Sequence, residues 1–187
     1  MKIHLITSNK GKVEELSAML KPLGHETEQT DLQCPELQAN NLEEVIVHGL
    51  EWLKDVVDGE NVLIDDAGIF IEALQGFPGV YSRYAYDTIG LKGILQLMEG
   101  VENRRTSFKC VLGFLQSNGK QYVLAGETHG ILTHKEKGEE GFGYDPIFIP
   151  EGEDKTFAEL DMNRKNQLSH RGKALNKLLE VLSTIDI

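Results

Sequence analysis

The sequence predicts an α/β protein in which helices cover a mixed β-sheet. The first observation is the order of the apolar patterns, which runs β-α-β-α-β and is followed by a long hairpin and a terminal helix. The second is the composition: 40% of the residues are hydrophobic and 26% are charged, as in ordinary globular proteins. The third is the length of 187 residues, which suits one domain, or one domain with two lobes.

The first half of the chain alternates between strands and helices. The run KIHLITS (2–8) predicts a buried strand, and the apolar residues after it recur at helical spacing until Gly24 ends the pattern. A weak strand, HETEQTD, separates this helix from a second one, NNLEEVIVHGLEWLKDVVDG, which stops at Asp58 and Gly59. NVLID then predicts a short buried strand, and IFIEAL, beyond two aspartates, predicts another.

The second half of the chain places a hairpin between helices. After the loop QGFPGVY, the run TIGLKGILQLMEG predicts a helix. SFKCVLGFLQ carries its apolar residues on one face, which predicts a half-buried strand, and QYVLAGETHGILT returns after the turn SNGK. A Gly-rich polar loop, HKEKGEEGFGYDP, leads towards the last amphipathic helix, for which Ser169 is well placed as the N-cap.

The charge balance restricts the classes of partner. The chain carries 19 basic and 30 acidic residues, a net charge of −11. Surfaces that track nucleic-acid phosphates are usually basic, so we expect no nucleic-acid partner. An anionic small molecule remains compatible with this composition, but its site must be locally basic or must carry a metal ion.

The chain shows no membrane or export signal that we recognise. No apolar run approaches the roughly 20 residues that a membrane helix needs, so no membrane partner is expected. The N-terminal run MKIHLITSN lacks the pattern of a signal peptide. Cys34 and Cys110 are interpreted as free thiols in a reducing compartment. Together these features predict a cytoplasmic protein.

The run TSNKGK (7–12) lies where the first strand meets the first helix. A helix N-terminus offers free N–H groups and a partial positive charge, Lys12 adds a full charge, and Gly11 allows a ligand to approach the backbone. The run therefore has the properties of an anion site. On these residues alone, a capped helix start with a surface lysine is the favoured interpretation, because short motifs match often by chance.

The run VLIDDAGIFIEAL contains the adjacent carboxylates Asp65 and Asp66. A carboxylate at the end of a buried strand is a common Mg²⁺ ligand, because strand ends face the clefts of α/β sheets. The alternative is that one of the two aspartates only caps a turn before Gly68. The residues themselves leave both interpretations open.

Two later runs contain further candidates. In EEGFGYDPIF (140–149), flexible glycines flank Phe142, which suits stacking on a flat base, and Asp145 could accept hydrogen bonds from a heterocycle; a structural turn is the alternative. In RKNQLSHRGKAL (164–175), the side chains of Lys165, His170 and Arg171 gather at a predicted helix start, which favours an anion site over a lone structural histidine.

Taken together and in this order, these four runs resemble the inosine triphosphate pyrophosphatases over nearly the whole chain. The resemblance implies an enzyme that hydrolyses ITP, dITP and XTP to the monophosphate and pyrophosphate with Mg²⁺. It also implies an elongated mixed sheet flanked by helices, two lobes with the active-site cleft between them, and a homodimer.

The resemblance assigns roles to residues. It implies that Glu36 and Asp66 bind the metal and that Asp66 is also catalytic, as a general base or only as a ligand. Asp65 is interpreted as orienting the turn or supporting the site from behind. The remaining positions match the family's phosphate and base contacts: Thr7, Ser8, Asn9, Lys10, Gly11, Lys12, Ala67, Phe142, Gly143, Tyr144, Asp145, Lys165, His170 and Arg171.

Two positions depart from the family pattern, and a third falls near a position that is often basic. Ala67 stands where the family usually has Ser or Thr, so only its backbone N–H is available to a phosphate. His48 stands where a Lys is often found, which lowers the positive charge expected near pH 7. Arg83, in VYSRY, falls near a position that is often basic.

Two rival interpretations remain. The first is a pyrophosphatase of the septum-formation type that acts on modified pyrimidine nucleotides, which the GFGYDPIF and SHR runs disfavour. The second is a non-catalytic nucleotide-binding protein, which the presence of both Glu36 and Asp66 disfavours.

Overall fold

A six-stranded mixed sheet forms the centre of the computed structural model, which describes residues 1–32, 34–35 and 37–185, with only the backbone of Ile185. The strand order is β2-β1-β3-β4-β5-β6. The first strand pairs in parallel with the second and third, and all later neighbours are antiparallel. The predicted fold class is therefore confirmed. The strands are β1 (Lys2–Ile6), β2 (Glu26–Thr30), β3 (Val62–Ile71), β4 (Arg105–Leu115), β5 (Gln121–Leu132) and β6 (Phe148–Pro150).

Six helices flank this sheet in the described part of the chain. Helices α1 and α6 cover one face of the sheet, and α2 covers the other. A third apolar cluster joins α4 to the 3₁₀ turn at 145–147 and to β6. None of the described helices has the length and apolar character to cross a membrane. The helices are α1 (Lys10–Leu20), α2 (Leu42–Val56), α3 (Ser82–Thr88), α4 (Gly90–Leu97), α5 (Met162–Leu168) and α6 (His170–Ile185). The division into two lobes stays a prediction.

The third strand corrects the expectation of two short strands around the aspartates. β3 is continuous from Val62 to Ile71 and pairs with β4 through its whole length. The turn interpretation of Asp65 and Asp66 is therefore wrong. Because side chains alternate along a strand, the two carboxylates point to opposite faces of the sheet. Gly68 serves close packing instead of a turn, since a Cβ atom there would lie 2.2 Å from the carbonyl oxygen of Gly79.

The fourth strand also differs from its prediction. SFKCVLGFLQ was expected to be half-buried, but both faces of β4 are covered. Cys110, Leu112 and Phe114 pack against α1 and α6, as the alternation predicts. Val111 and Leu115 pack on the opposite face against α2. A central strand between two helical layers has no solvent face, which the apolar alternation alone does not reveal.

Glycines determine how closely α6 approaches the sheet. The predicted N-cap is confirmed, because Ser169 Oγ accepts the N–H of Gly172 at 3.0 Å. A Cβ atom at Gly126 in β5 would lie 2.1 Å from the carbonyl oxygen of His170 and 2.5 Å from the backbone nitrogen of Ala174. The start of α6 thus lies backbone to backbone on the strand, which places the His170 and Arg171 side chains.

We expect the substitution Gly126→Ala to destabilise the fold by about 3 kcal/mol, because a methyl group there overlaps backbone atoms that have no rotamer to adopt. The measurement is the free energy of unfolding in urea. Ala125→Ser is the matched control, since it also adds one heavy atom but at an exposed position of the same strand. Equal stability of the two variants would contradict the proposed packing of α6.

Candidate active site

The candidate site lies where β1 ends and β3 continues. β1 pairs with β3 only through His4 and Leu5, so the part of β3 beyond Leu63 has no β1 neighbour. The turn from β1 into α1 fills this position. Asn9 is the N-cap of α1 and accepts the N–H of Lys12 at 3.3 Å, while Thr7 Oγ1 accepts the N–H of Asn9 at 3.2 Å. The capped helix start is confirmed, and a phosphate contact by this turn stays a prediction.

Lys12 connects this turn to the first aspartate. Its Nζ atom lies 3.1 Å from Oδ1 of Asp65 and donates to the Asp65 carbonyl oxygen at 3.1 Å. The Asp65 side chain is only 1% exposed, whereas Lys12 is 18% exposed. Lys12 therefore keeps access to solvent while it is held in position. Ser8 and Lys10, also predicted to bind substrate, lie on the exposed side of the same turn.

Arg171 binds the other side of Asp65. Its Nη2 and Nε atoms lie 3.1 and 3.2 Å from Oδ2 of Asp65. Its third nitrogen, Nη1, donates to a carboxylate that the sequence interpretation missed, Glu15 of α1. The other oxygen of Glu15 accepts from Lys165, and Lys165 also donates to Oδ2 of Asp145 at 2.6 Å.

These contacts form one continuous buried ion network. Cations and carboxylates alternate along it, and in order the members are Lys12, Asp65, Arg171, Glu15, Lys165 and Asp145. Buried charges are costly unless each is paired, so the alternation explains why three cations lie this deep. The prediction that Lys165, His170 and Arg171 share one helix start is partly wrong, because Lys165 belongs to α5 and only the other two open α6.

The network perturbs its acids in different directions. Burial alone would raise the pKa of Asp65, but the charges of Lys12 and Arg171 outweigh it and hold this pKa below its ordinary value. For Glu15, burial alone would also raise the pKa. The charges of Arg171 and Lys165 outweigh this effect, and the pKa of Glu15 is lowered. For Asp145, burial prevails over the contact with Lys165 and raises the pKa. Asp65 and Glu15 therefore remain ionised.

His170 is buried and neutral. It is 4% exposed, and its ring stacks on Phe108 with centroids 4.6 Å apart. Burial, reinforced by the charges of Arg171 and Lys165, holds the pKa of His170 well below its ordinary value. Its Nδ1 atom is buried without a hydrogen-bond partner among the described residues. Buried polar atoms without a partner are rare in proteins, which distinguishes this nitrogen from ordinary core atoms.

Phe142 lies above the network. Its ring centroid is 4.8 Å from Nζ of Lys165 and 5.5 Å from Cζ of Arg171, which are cation–π distances. The ring also packs against Gly11, where a Cβ atom would lie 2.4 Å from Cδ1 of Phe142. Asp145 accepts the backbone N–H of Phe142 at 2.8 Å. The loop that carries Phe142 and Gly143 is thus fastened to α1 and α5.

Tyr144 has a different environment from its neighbours. It is 5% exposed and donates its hydroxyl hydrogen to the carbonyl oxygen of Ser82 at 2.7 Å. Its ring meets Tyr86 edge to face, 5.6 Å between centroids. Burial raises the pKa of this phenol. Tyr144 therefore joins the loop to α3, and its contacts support the site from behind.

Asp66 lies on the opposite face of β3 from Asp65 and is half-buried. Its Oδ1 accepts the N–H of Ala67 at 2.9 Å, so the backbone donor expected to meet a phosphate already has a partner.

Glu36, the other predicted metal ligand, lies outside the described residues. Within the described ranges no group of three His, Cys, Asp or Glu side chains is arranged to hold a metal ion. Oxygen donors such as Asp66 nevertheless suit Mg²⁺, which usually takes one or two carboxylates and completes its shell with water and phosphate oxygens.

Two of the expected basic positions lie at the surface. The Arg83 side chain is 76% exposed and pairs with Asp87 at 2.6 Å, one turn along α3. His48 is exposed on α2.

The sequence interpretation did not predict a role for Glu15, because a Glu-Glu pair on an amphipathic helix is typical of a solvated face. The available signal was that Glu15 directly precedes Leu16, so it lies close to the buried side of α1.

The fold and the site define an open-sheet α/β protein with a buried ion network at one end of its first helix. A capped helix start, a partly exposed lysine and this network come together there from distant parts of the chain. The chain belongs to the Ham1 family, whose model matches residues 3–181.

Several curated relatives match almost the full length of the chain. A dITP/XTP pyrophosphatase of Pyrococcus horikoshii is 54% identical over 182 residues, which cover 97% of each chain. A dITP/XTP pyrophosphatase of Methanopyrus kandleri is 48% identical and covers 96% of this chain and 95% of its own.

Solved structures share the fold. The Ham1 protein of Staphylococcus aureus has a TM-score of 0.83 at 29% identity and covers 98% of this chain and 99% of its own. A HAM1 protein of Coxiella burnetii has a TM-score of 0.80 at 30% identity, with the same coverage.

The contrast between the two aspartates yields a prediction about stability. Asp65→Asn removes the shared partner of Lys12 and Arg171, and we expect it to destabilise the fold by about 3 to 5 kcal/mol, the usual cost of an uncompensated buried charge. Asp66→Asn is the adjacent control and should change stability by less than about 1 kcal/mol, as half-exposed substitutions usually do. The measurement is urea denaturation at pH 7. A stable Asp65→Asn variant would show that the network does not hold the site together.

Proposed function

We propose that this protein hydrolyses the deaminated purine nucleoside triphosphates ITP, dITP and XTP to the monophosphate and pyrophosphate, and so removes them from the nucleotide pool. Membership of the Ham1 family and the names of the curated relatives support the substrate class. The observation that carries the proposal is that one ion network joins Lys12, at the start of α1, to the cations that lie beneath the Phe142 ring. A cation that can bind phosphate and an aromatic ring that can stack on a base are parts that such a substrate requires.

The triphosphate binds at the start of α1 in this proposal. Free N–H groups and the helix dipole attract the phosphates, and Lys12 adds a charge that is already oriented by Asp65. In a chain of net charge −11, this local concentration of positive charge is what makes an anionic site possible. Arg171 and Lys165 are buried in ion pairs, which favours a role near the base over a direct contact with the phosphates.

Mg²⁺ is the proposed cofactor, and Asp66 and Glu36 are the residues that would hold it. The ion would neutralise charge on the phosphate oxygens as the bond breaks. Asp66 orients the water molecule that attacks the α-phosphorus, and pyrophosphate leaves. Asp66 suits this role because it is only half-buried, whereas the Asp65 side chain is almost fully buried between Lys12 and Arg171.

The base is recognised on the other side of the cleft. Phe142 stacks on the purine, and the 6-oxo group of inosine and xanthosine meets donors from His170, Lys165 or Arg171. Adenine carries an amino group at that position and leaves those buried donors unpaired, which is a large penalty. The neutral state and unpaired Nδ1 of His170 support this assignment.

Two further proposals concern the protein in the cell. We propose that it acts in the cytoplasm, where the nucleotide pool is used, and the two unpaired cysteines suit that reducing compartment. We also propose a homodimer. A run of large side chains around α3 is unusually exposed, with Tyr84 at 71%, Tyr81 at 47%, Ile89 at 43% and Phe77 at 42%. Exposed apolar patches commonly mark interfaces.

The activity is tested by pyrophosphate release from ITP, XTP, dUTP and ATP, with and without Mg²⁺. We expect release from ITP and XTP with Mg²⁺ and almost none after its removal with a chelator. Asp66→Asn should lower turnover by a factor of about 1,000 or more while the protein stays folded, because both the ligand charge and the water contact are lost.

The rival interpretations predict other results. Preferential release from dUTP would indicate a pyrimidine-directed enzyme of the septum-formation type. Tight ITP binding without any release would indicate a non-catalytic nucleotide-binding protein. Near-normal activity of the Asp66→Asn variant would refute the assigned role of Asp66.

The dimer is tested by light scattering coupled to size exclusion. We expect twice the 20.9 kDa mass of one chain, and a shift towards the monomer for Tyr84→Glu, because a charge on the exposed patch disfavours its burial. Glu substitution at Val123, which is 40% exposed on β5, provides the control. A monomer at all concentrations would contradict the proposal.

A further inference from the structure

Gln29 of β2 contacts the turn between β1 and α1 from the edge of the sheet. Its side-chain amide donates from Nε2 to the carbonyl oxygen of Thr7 at 2.8 Å, across 22 positions in the chain. β2 is an edge strand of the sheet, and Gln29 pairs with Leu5, two residues before Thr7. The side chain therefore reaches past the end of β1, where the strand pairing has stopped.

This contact is not needed to attach β2 to the rest of the molecule. All five residues of β2 pair in parallel with β1. A contact of 2.8 Å between the hydroxyl groups of Ser17 and Thr27 also joins β2 to α1. Gln29 itself is exposed, so its side chain contributes little to the core. Packing therefore does not account for the bond between this amide and Thr7.

The bond fixes the orientation of one peptide group. The carbonyl of Thr7 and the N–H of Ser8 belong to the same planar trans peptide, so they point in opposite directions. Because Gln29 holds the carbonyl, the N–H of Ser8 points away from the Gln29 amide. Ser8 is exposed, and no group in the described ranges accepts its N–H. This donor is therefore presented to solvent in a fixed direction.

The same turn is held from a second side by Lys12. The Lys12 ammonium contacts a carboxylate oxygen and the carbonyl oxygen of Asp65, and Asn9 accepts the Lys12 N–H as the cap of α1. The first N–H groups of a helix have no intrahelical partner. The turn thus presents the N–H of Ser8, the helix start and the partly exposed Lys12 together, and Gln29 orients the first of these donors.

We infer that Gln29 is a positioning residue for phosphate binding, which holds the peptide between Thr7 and Ser8 so that its N–H meets the triphosphate. This inference rests on the proposed function, because it takes the turn as the phosphate site. Gln29 touches neither the substrate nor the reacting atoms. It acts through a peptide group that is ordered before the substrate binds, which lowers the entropy cost of binding.

The base side of the site should not depend on Gln29. Phe142 lies over Lys165 and Arg171, and these contacts do not involve Gln29. A donor that binds the phosphates equally in the ground state and in the transition state changes KM and not kcat. Loss of the Gln29 amide should therefore weaken phosphate binding and leave both turnover and the choice of base nearly unchanged.

The experiment compares Gln29→Met with Gln96→Met. The first change removes the amide donor at nearly constant side-chain length, and the second makes the same change at an exposed position of α4. Gln29→Ala removes the amide without adding apolar surface. For each variant we measure kcat and KM with ITP and with ATP, competitive inhibition by inorganic pyrophosphate and by inosine, and the melting temperature.

In Gln29→Met and Gln29→Ala we expect the KM for ITP and the inhibition constant of pyrophosphate to rise about fivefold, the scale of one lost hydrogen bond. Turnover should stay within about twofold, and so should inhibition by inosine, which carries no phosphate. The ratio of kcat/KM for ITP over ATP should not change, because both substrates carry the same triphosphate. Gln96→Met should match the unmodified protein in every measurement.

Two results would overturn the inference. One is an unchanged KM for ITP and unchanged pyrophosphate inhibition in the Gln29 variants. The other is equal weakening of inosine and pyrophosphate inhibition together with a lower melting temperature, which would indicate a structural role only. If Gln29→Met does not fold, the values measured with Gln29→Ala decide. Failure of the unmodified protein to release pyrophosphate from ITP refutes the proposed function separately, and pyrophosphate binding measured by calorimetry on the same variants then still tests Gln29.

Discussion

The contact between Asp65 and Arg171 is the interaction on which the rest of the site depends. It joins the middle of β3 to the first turn of α6, 106 positions apart, with both side chains almost fully buried. A carboxylate and a guanidinium in the interior are costly unless each meets all of its partners. Lys12 satisfies the other oxygen of Asp65, and Glu15 satisfies the rest of Arg171. The positions of β3, α1 and α6 are therefore mutually constrained.

Backbone geometry makes this contact possible. Alternation along β3 sends Asp65 towards α1 and α6 and Asp66 towards the opposite face, so two adjacent acids have different environments. Glycines then allow elements to approach more closely than side chains would permit. Gly126 receives the start of α6 on β5, and Gly11 receives the ring of Phe142 on α1. The ion network and these close approaches together fix the positions of the same side chains.

The electrostatics of the cleft separate into two parts. Along the buried network, charges alternate and largely cancel. Its cations are therefore held in fixed orientations but contribute little net positive charge. In the proposed function, attraction for the triphosphate comes instead from Lys12, from the start of α1 and from a metal ion held by Asp66. A neutral His170 with an unpaired nitrogen adds a polar contact without adding charge. The proposed function thus assigns phosphate binding and base recognition to different groups of side chains.

The sequence by itself determined the fold class, the alternation of strands and helices in the first half of the chain, the long hairpin and the cap at Ser169, because apolar periodicity and cap and turn signals are local properties. It did not determine that β3 continues through its two aspartates, that β4 is buried on both faces, or that Glu15 lies inside. The Asp-Asp-Ala-Gly run has a turn-like composition, and only the pairing of Asp65 with Lys12 and Arg171 makes a strand acceptable there. Burial of a charge depends on partners more than 50 positions away, and only the tertiary structure brings them together.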